Sequence, residues 1–241
     1  MVITSVANSK IKEIKKMLNN KHSLLEETFL VEGEHLVDEA FKSGVLKEII
    51  VLDGTDFNYD LNKIIVTKNV MESISTLPSS PKIIGICFYI KEKESLGNKI
   101  IVLDNVQDPG NVGAIIRSAV AFNYDTVVLS EDCAKKYNQK VIRSSQGMMF
   151  KINVITRKID LFINEIKGYG YYVYGTNVVN GTNIKSIKSK DKYAIVLGSE
   201  GSGVNKNVQE LVDENLYINM NKTCESLNVA VAGSIIMHEL S

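Results

Sequence analysis

The stretch Leu103-Asp-Asn-Val-Gln-Asp-Pro-Gly-Asn-Val-Gly-Ala-Ile-Ile-Arg-Ser-Ala119 decides how this chain is read. It follows an apolar run, residues 100–103, that reads as a buried strand, then turns sharply and opens a helix. Asp108 has helix-capping chemistry, Pro109 suits the first helical position, and Gly110 lets another backbone come close. A helix opening of this kind offers backbone N–H groups to an anion or a polar ligand. Arg117 stands two turns into a helix that is otherwise small and apolar. It reads either as a functional cation or as half of a buried structural ion pair.

Working outward, the chain divides near residues 91–98, Lys-Glu-Lys-Glu-Ser-Leu-Gly-Asn, a charged and apolar-poor stretch that reads as a linker. Before it, helices are predicted over 9–18, 34–42 and 68–77, and strands over 28–31, 46–52, 63–66 and 83–90. After it, strands and helices alternate. Strands are predicted over 100–103, 126–129, 152–155, 171–174, 193–197 and 216–218, and helices over 111–122, 138–145, 158–166, 204–212 and 228–240. Apolar strands separated by helices predict a parallel sheet covered on both faces.

Composition narrows the function classes. With 28 basic and 28 acidic residues the formal net charge is zero, so no global field draws the chain to nucleic acid or to a membrane, and any nucleic-acid partner must be held by local patches. Only three basic residues are Arg: Arg117, Arg143 and Arg157, the last of which reads as solvated surface. The three cysteines, Cys87, Cys133 and Cys224, and the three histidines, His22, His35 and His238, are dispersed without metal-ligand spacing, so no metal site and no disulfide framework is expected. No signal peptide and no apolar run of membrane-spanning length is read, which makes a reducing cytoplasm the expected location and a membrane partner unexpected. The helix over 9–18 carries Lys10, Lys12, Lys15 and Lys16 around an apolar face. It is either a phosphate-binding patch for a nucleic acid or a solvated helix face.

In open α/β sheets, ligands bind beyond the carboxyl ends of the strands. Three predicted loops occupy such positions. The first runs from Asn105 to Arg117. The second, Gly198-Ser-Glu-Gly-Ser-Gly203, allows close backbone approach. Its Glu200 disfavours a phosphate and favours a positive or neutral ligand centre, although a tight turn with an exposed Glu reads equally well. The third, Ile218-Asn-Met-Asn-Lys-Thr-Cys-Glu-Ser-Leu-Asn-Val-Ala-Val-Ala-Gly233, ends in a helix of small residues. Ser226 and Asn228 are capping types, and the small residues fit tight helix–helix contact or a dimer interface.

These segments carry a family resemblance. Asp-Pro-Gly-Asn-Val-Gly-Ala-Ile-Ile-Arg-Ser-Ala (108–119), Leu-Gly-Ser-Glu-Gly-Ser-Gly (197–203) and Glu-Ser-Leu-Asn-Val-Ala-Val-Ala (225–232) resemble, in order, the three motifs of the SpoU-type (TrmH-like) RNA ribose methyltransferases. Residues 3–12 and 29–34 are similar to the substrate-binding domain often attached to them. The resemblance implies an α/β chain with a C-terminal parallel-sheet domain of the SPOUT type carrying a trefoil knot, over residues 99–241. A small ribosomal-protein-like α/β substrate-binding domain precedes it, over residues 1–92. It implies a homodimer with the active site near the subunit interface, and S-adenosylmethionine as methyl donor. The donor-binding positions would be Gly198, Ile218, Met220, Leu227 and Asn228, and the catalytic positions Asn111, Arg117, Glu200, Ser226 and Asn228. The chain departs from the pattern at Asn219, where Pro is usual, at Lys222, where Gly is expected, and at Ala230, where Ser is common, which implies a more mobile donor loop.

The expected reaction is methyl transfer to a ribose 2′-hydroxyl of RNA, with ribosomal RNA the first expectation and transfer RNA the alternative. Because a guanidinium resists deprotonation, Arg117 is expected to bind a neighbouring phosphate and stabilise alkoxide charge. Two readings compete: a non-catalytic RNA-binding or ribosome-assembly factor that keeps the fold, and a nicotinamide-dependent oxidoreductase. The second lacks a G-x-G-x-x-G after its first strand.

Overall fold

A computed structural model describes residues 1–241 except 19–26, 178–180, 189, 202 and 222, so His22, Ser202 and Lys222 lie outside the described residues. Contacts group the chain into two units. The first holds residues 1–91 together with 137–150, and the second holds 92–136 and 151–241.

The first unit is built on a five-stranded sheet. Its strands are β1 (Val2–Ile3), β2 (Thr28–Glu32), β3 (Leu46–Leu52), β4 (Lys63–Val66) and β5 (Ile83–Phe88), in the order β1-β4-β3-β5-β2. The β1–β4 and β3–β4 pairs are parallel, whereas β5 runs antiparallel to both β3 and β2. Helices α1 (Ser9–Met17), α2 (Glu34–Lys42) and α3 (Lys68–Ile74) belong to the same unit. In α1 the apolar residues recur at helical spacing, and Ile11 and Ile14 are fully buried with Leu30, Ile50 and Met71. The linear order hides one feature. The helix over Gln139–Ser145 lies in the second half of the chain, yet its packing puts it in the first unit. Tyr137 stacks on Phe29 and Tyr89 with ring centroids 4.6 and 3.9 Å apart, and Gln139 Nε2 donates to the Leu30 carbonyl at 3.1 Å.

The second unit contains a sheet of seven strands, every pair of which is parallel. They are β6 (Lys99–Leu103), β7 (Thr126–Leu129), β8 (Asn153–Thr156), β9 (Tyr172–Thr176), β10 (Thr182–Asn183), β11 (Tyr193–Leu197) and β12 (Glu214–Tyr217), in the order β10-β12-β9-β11-β6-β7-β8. Apart from the half-buried Lys99 that opens β6, the central strands β6, β7 and β11 are buried throughout and mostly apolar, as a sheet covered on both faces requires. With α4 named for Pro109–Ala121 and α5 for Gln139–Ser145, the remaining helices are α6 (Ile159–Gly168), α7 (Lys206–Gln209) and α8 (Val229–Glu239). Helices α4 and α8 pack together, with the Ser118 and Ser234 hydroxyls 2.7 Å apart. Gly233 is where α8 presses on the sheet, since a Cβ there would lie 2.6 Å from Leu197 Cδ1.

One expectation is corrected. The predicted helix over 204–212 is only α7, because Asn205 caps it at the start and Asp213 must leave it to pair with β9. The Asp213 N–H donates to the Val173 carbonyl, and its carboxylate accepts the Val173 N–H, each at 2.8 Å. Residues 91–98 contain the boundary between the two units, which falls between Lys91 and Glu92. From Glu92 onward they are tied to the second unit: Lys93 N–H donates to Asn153 Oδ1 at 3.0 Å, Thr126 Oγ1 to the Leu96 carbonyl at 2.8 Å, and Asn98 N–H to Asp125 Oδ2 at 2.7 Å. Composition shows the charge of this stretch but not the polar partners waiting for its backbone.

Candidate active site

The loops after β6, β11 and β12 meet at the carboxyl end of the parallel sheet. Each is held by its own short-range chemistry. In the first, Asp108 Oδ1 accepts the Gly110 N–H at 2.5 Å and the Asn111 N–H at 3.3 Å, with Pro109 at the first position of α4. This fixes the Asn111 side chain on the first turn. Behind it, the Val106 N–H donates to Cys133 Sγ at 3.3 Å and that thiol donates to the Leu103 carbonyl at 3.2 Å. Burial pushes the Cys133 thiol above its ordinary pKa, so it acts here as a neutral hydrogen-bonding strut.

The second loop closes on itself. Ser199 and Gly203 exchange two backbone hydrogen bonds of 3.0 Å each. Gly198 permits that closure, since a Cβ there would stand 2.0 Å from the Gly203 carbonyl carbon and 2.1 Å from the Val204 nitrogen. The far end is anchored to the first loop: the Asn205 N–H donates to Asp104 Oδ2 at 2.7 Å, and Asp104 is only 7% exposed. The third loop runs past Ile218 and ends at Asn228, whose Oδ1 caps α8 by accepting the Ala230 and Val231 N–H groups at 3.0 and 3.3 Å.

The three loops converge on one carboxylate oxygen. Glu200 Oε1 accepts Asn111 Nδ2 at 2.9 Å and Asn228 Nδ2 at 2.5 Å, and Asn228 Nδ2 also reaches Asn111 Oδ1 at 3.0 Å. This cluster stands between two hollows, and Glu200 lines both. One is a cavity of about 570 Å³ lined by Gly198, Glu200, Ile218, Met220, Ser226 and Leu227, with Leu197, Leu216, Val229 and Ile236 among its apolar walls. That volume suits a nucleoside-sized ligand. The other, of about 410 Å³, is polar and lined by residues 105–108, Asn111 and the Ser199–Gly201 turn.

Arg117 stands apart. It is exposed, lines neither hollow, and has no hydrogen-bond or ion-pair partner among the described residues. The reading of a buried ion pair is therefore corrected: Arg117 lies on a face of α4 that points away from the core. Arg157 pairs with Glu92 at 3.0 Å and keeps 45% of its side chain exposed. Sequence reasoning missed Asp104, Cys133, Thr176, Lys206 and Gln209. An acid at the end of an apolar strand is the signal that marks Asp104, but nothing in the sequence alone places Lys206 on the cavity wall.

The site has apolar walls, a glycine, Gly198, with no room for a side chain, and a carboxylate at its rim. This donor set fits an adenosine moiety bearing a cationic centre. Comparison with known proteins agrees. The SpoU rRNA Methylase family model matches residues 98–238, and an MRM3-like substrate binding domain matches residues 8–85. The chain is 39% identical over 243 residues to the 23S rRNA (guanosine(2553)-2′-O)-methyltransferase RlmP of Bacillus subtilis, covering 99% of this chain and 98% of that one. The chain belongs to the SpoU rRNA methylase family. SpoU proteins are RNA 2′-O-methyltransferases of the SPOUT class, and their methyl donor is S-adenosylmethionine. The crystal structure of an RNA 2′-O ribose methyltransferase superposes with a TM-score of 0.85 at 25% identity, covering 99% of this chain and 97% of that one. An AdoMet-bound rRNA methyltransferase from Sinorhizobium meliloti, 22% identical, shares the fold with a TM-score of 0.87, covering 99% and 96% of the two chains. The SpoU match spans the parallel sheet and all three loops, and the substrate-binding match lies within the first unit.

Proposed function

We propose that this chain transfers a methyl group from S-adenosylmethionine to a ribose 2′-hydroxyl of large-subunit ribosomal RNA, acting in the cytoplasm as a homodimer. The observation that carries this reading is the convergence of Asn111, Glu200 and Asn228 at the mouth of the cavity lined by Gly198, Ile218 and Leu227. The 23S rRNA specificity printed for the Bacillus subtilis relative supports the substrate.

When bound, the donor supplies a methyl group on a positively charged sulfur. Gly198, Ile218 and Leu227 shape the pocket together with Met220 and Ser226, and the apolar walls favour the adenosyl group over water. Asn111 and Asn228 hold the Glu200 carboxylate in one position, where its charge favours the cationic centre over a neutral or anionic one. The adjoining polar hollow, with Asn111 on its wall, is where the ribose and its phosphate would enter.

Arg117 enters through the homodimer. Helix α8 exposes Val231 and Ile235, 49% and 39% accessible, in a stripe that begins at Asn228. With the exposed side of α4 this makes an apolar face next to the site, suited to a second copy of the chain. Arg117 on that face then stabilises the developing alkoxide and grips the phosphate. In the first unit, Lys12 and Lys16 are exposed on α1 and would neutralise RNA phosphates.

Two measurements test the proposal. Transfer of labelled methyl from S-adenosylmethionine to ribosomal RNA by the purified protein should be detectable, and ribose-methylation mapping of total RNA with and without the gene should reveal one lost site in the large subunit. A lost site in transfer RNA alone would move the substrate, and no lost site with no transfer would reject the activity.

A further inference from the structure

The cavity wall carries a cation that the reading above leaves unused. Lys206 opens the short helix α7 and lines the cavity. The other charged lining residues, Glu200 and Glu225, are carboxylates. Lys206 has no ion-pair partner among the described residues, whereas Glu200 is already engaged by two amides. The backbone that presents Lys206 is held firmly: Asn205 N–H is anchored on the buried Asp104 carboxylate at 2.7 Å, Asn205 Oδ1 accepts the Asn207 N–H at 3.1 Å, and the Asn205 carbonyl accepts the Gln209 N–H at 2.8 Å.

S-adenosylmethionine brings one anionic group, its amino-acid carboxylate, along with an ammonium and the sulfonium. A cavity with one cation and two carboxylates on its wall matches that set of charges in number and sign. We infer that Lys206 binds the carboxylate of the donor's amino-acid end and so makes the site selective for an intact amino acid on the adenosyl sulfonium. This rests on the donor assignment above. Lys206 is exposed, so the pair is partly solvated and its strength is that of a screened ion pair.

The experiment is titration calorimetry of the full-length protein with two probes, S-adenosylmethionine and its decarboxylated form, which keeps the sulfonium and ammonium but lacks the carboxylate. For Lys206→Met, affinity for S-adenosylmethionine is expected to fall about fivefold, the upper range for a partly exposed pair. Affinity for the decarboxylated form should be unchanged or rise, because a like charge has been removed. Lys206→Arg should restore most of the S-adenosylmethionine affinity, and raising the salt should weaken the wild type more than Lys206→Met. Equal losses for both probes, or no loss for either, would overturn the assignment, as would a variant that binds the donor normally but loses RNA. A wild-type protein that binds neither probe would instead overturn the donor reading on which this one stands.

Discussion

Asn111 Nδ2 donates to Glu200 Oε1 at 2.9 Å across 89 residues of sequence, and Asn228 donates to the same oxygen. One carboxylate oxygen therefore gathers the loops of three strands. Glu200→Gln keeps an acceptor in place but removes the charge. Methyl transfer is expected to fall about 10- to 100-fold with the thermal midpoint nearly unchanged, because the group is exposed and electrostatic stabilisation is what is lost. Glu200→Ala should lower it further by freeing both amides. Steady-state kinetics beside a melting curve checks this, and a fully active Glu200→Gln would show that the charge is not used.

Arg117 separates the dimer from the monomer reading. Its side chain lines neither of the two hollows beside Glu200, so under the proposed dimer it reaches the site of a second copy. Arg117→Ala should cut methyl transfer by about 10²–10³-fold, the usual cost of one electrostatic stabiliser, while donor affinity and fold survive. Light scattering of the wild type should report a dimer. A monomeric and active wild-type protein would separate Arg117 from dimerisation.

Gly198 is sterically fixed. A Cβ would come within 2.0 Å of the Gly203 backbone, so Gly198→Ala must push the closed turn open. The expected cost is about 1–3 kcal/mol of stability, together with at least about a tenfold loss of donor affinity as the cavity wall moves. Calorimetry and thermal unfolding read the two effects separately. Normal donor binding by Gly198→Ala would mean that the turn does not shape the pocket.

Much of this architecture could be read from residue patterns, for reasons visible in particular elements. Strands β3 and β11 and helix α2 have the bounds that their apolar runs predict, because burial on a sheet or helix face sets the pattern directly. Asp108 and Asn228 cap their helices as their chemistry suggests, since capping is local. What was not legible depends on distant partners or on very short elements. The two-residue strands β1 and β10 carry too little pattern to detect. The antiparallel setting of β5 is decided by its neighbours β2 and β3. The anchoring of Asn205 on Asp104 spans 101 positions, and no spacing rule links them.

Glu92 gives the second unit a dependence on acid. Burial pushes its carboxyl up, but the hydrogen bonds and charges of Lys136 and Arg157, 3.2 and 3.0 Å away, outweigh this and hold it below the usual carboxylate range. A carboxyl depressed in the folded state stabilises the fold above its unfolded pKa of about 4.3, and that contribution disappears as the pH falls through the folded value. Since Glu92 keeps 36% of its side chain exposed, the contribution is at most about 1 kcal/mol. Glu92→Gln should therefore lower stability slightly at neutral pH and merge with the wild type in acid. Chemical denaturation at a series of pH values tests it, and a difference that grew toward low pH would contradict the sign.

The first unit depends on a helix that the chain supplies from beyond its second boundary. Tyr137 packs against both Phe29 and Tyr89, is only 9% exposed, and its hydroxyl accepts the Ile90 N–H at 2.8 Å. Gln139 and Arg143 add bonds of 3.1 and 2.7 Å to the Leu30 carbonyl and to Thr76 Oγ1. Deleting a buried aromatic side chain costs about 3–5 kcal/mol, and stacked pairs add about 0.5–1.5 kcal/mol each. Tyr137→Ala in the full chain should thus lower the unfolding free energy of the first unit by about 3 kcal/mol or more, whereas Tyr137→Phe should cost about 1–2 kcal/mol for the lost hydroxyl contact. A fragment of residues 1–92 lacks all three side chains, and its amides should exchange with solvent far faster than the same amides in the intact protein. Hydrogen exchange on both species decides the matter: equal protection in the fragment would mean that β2 and β5 hold their places without α5.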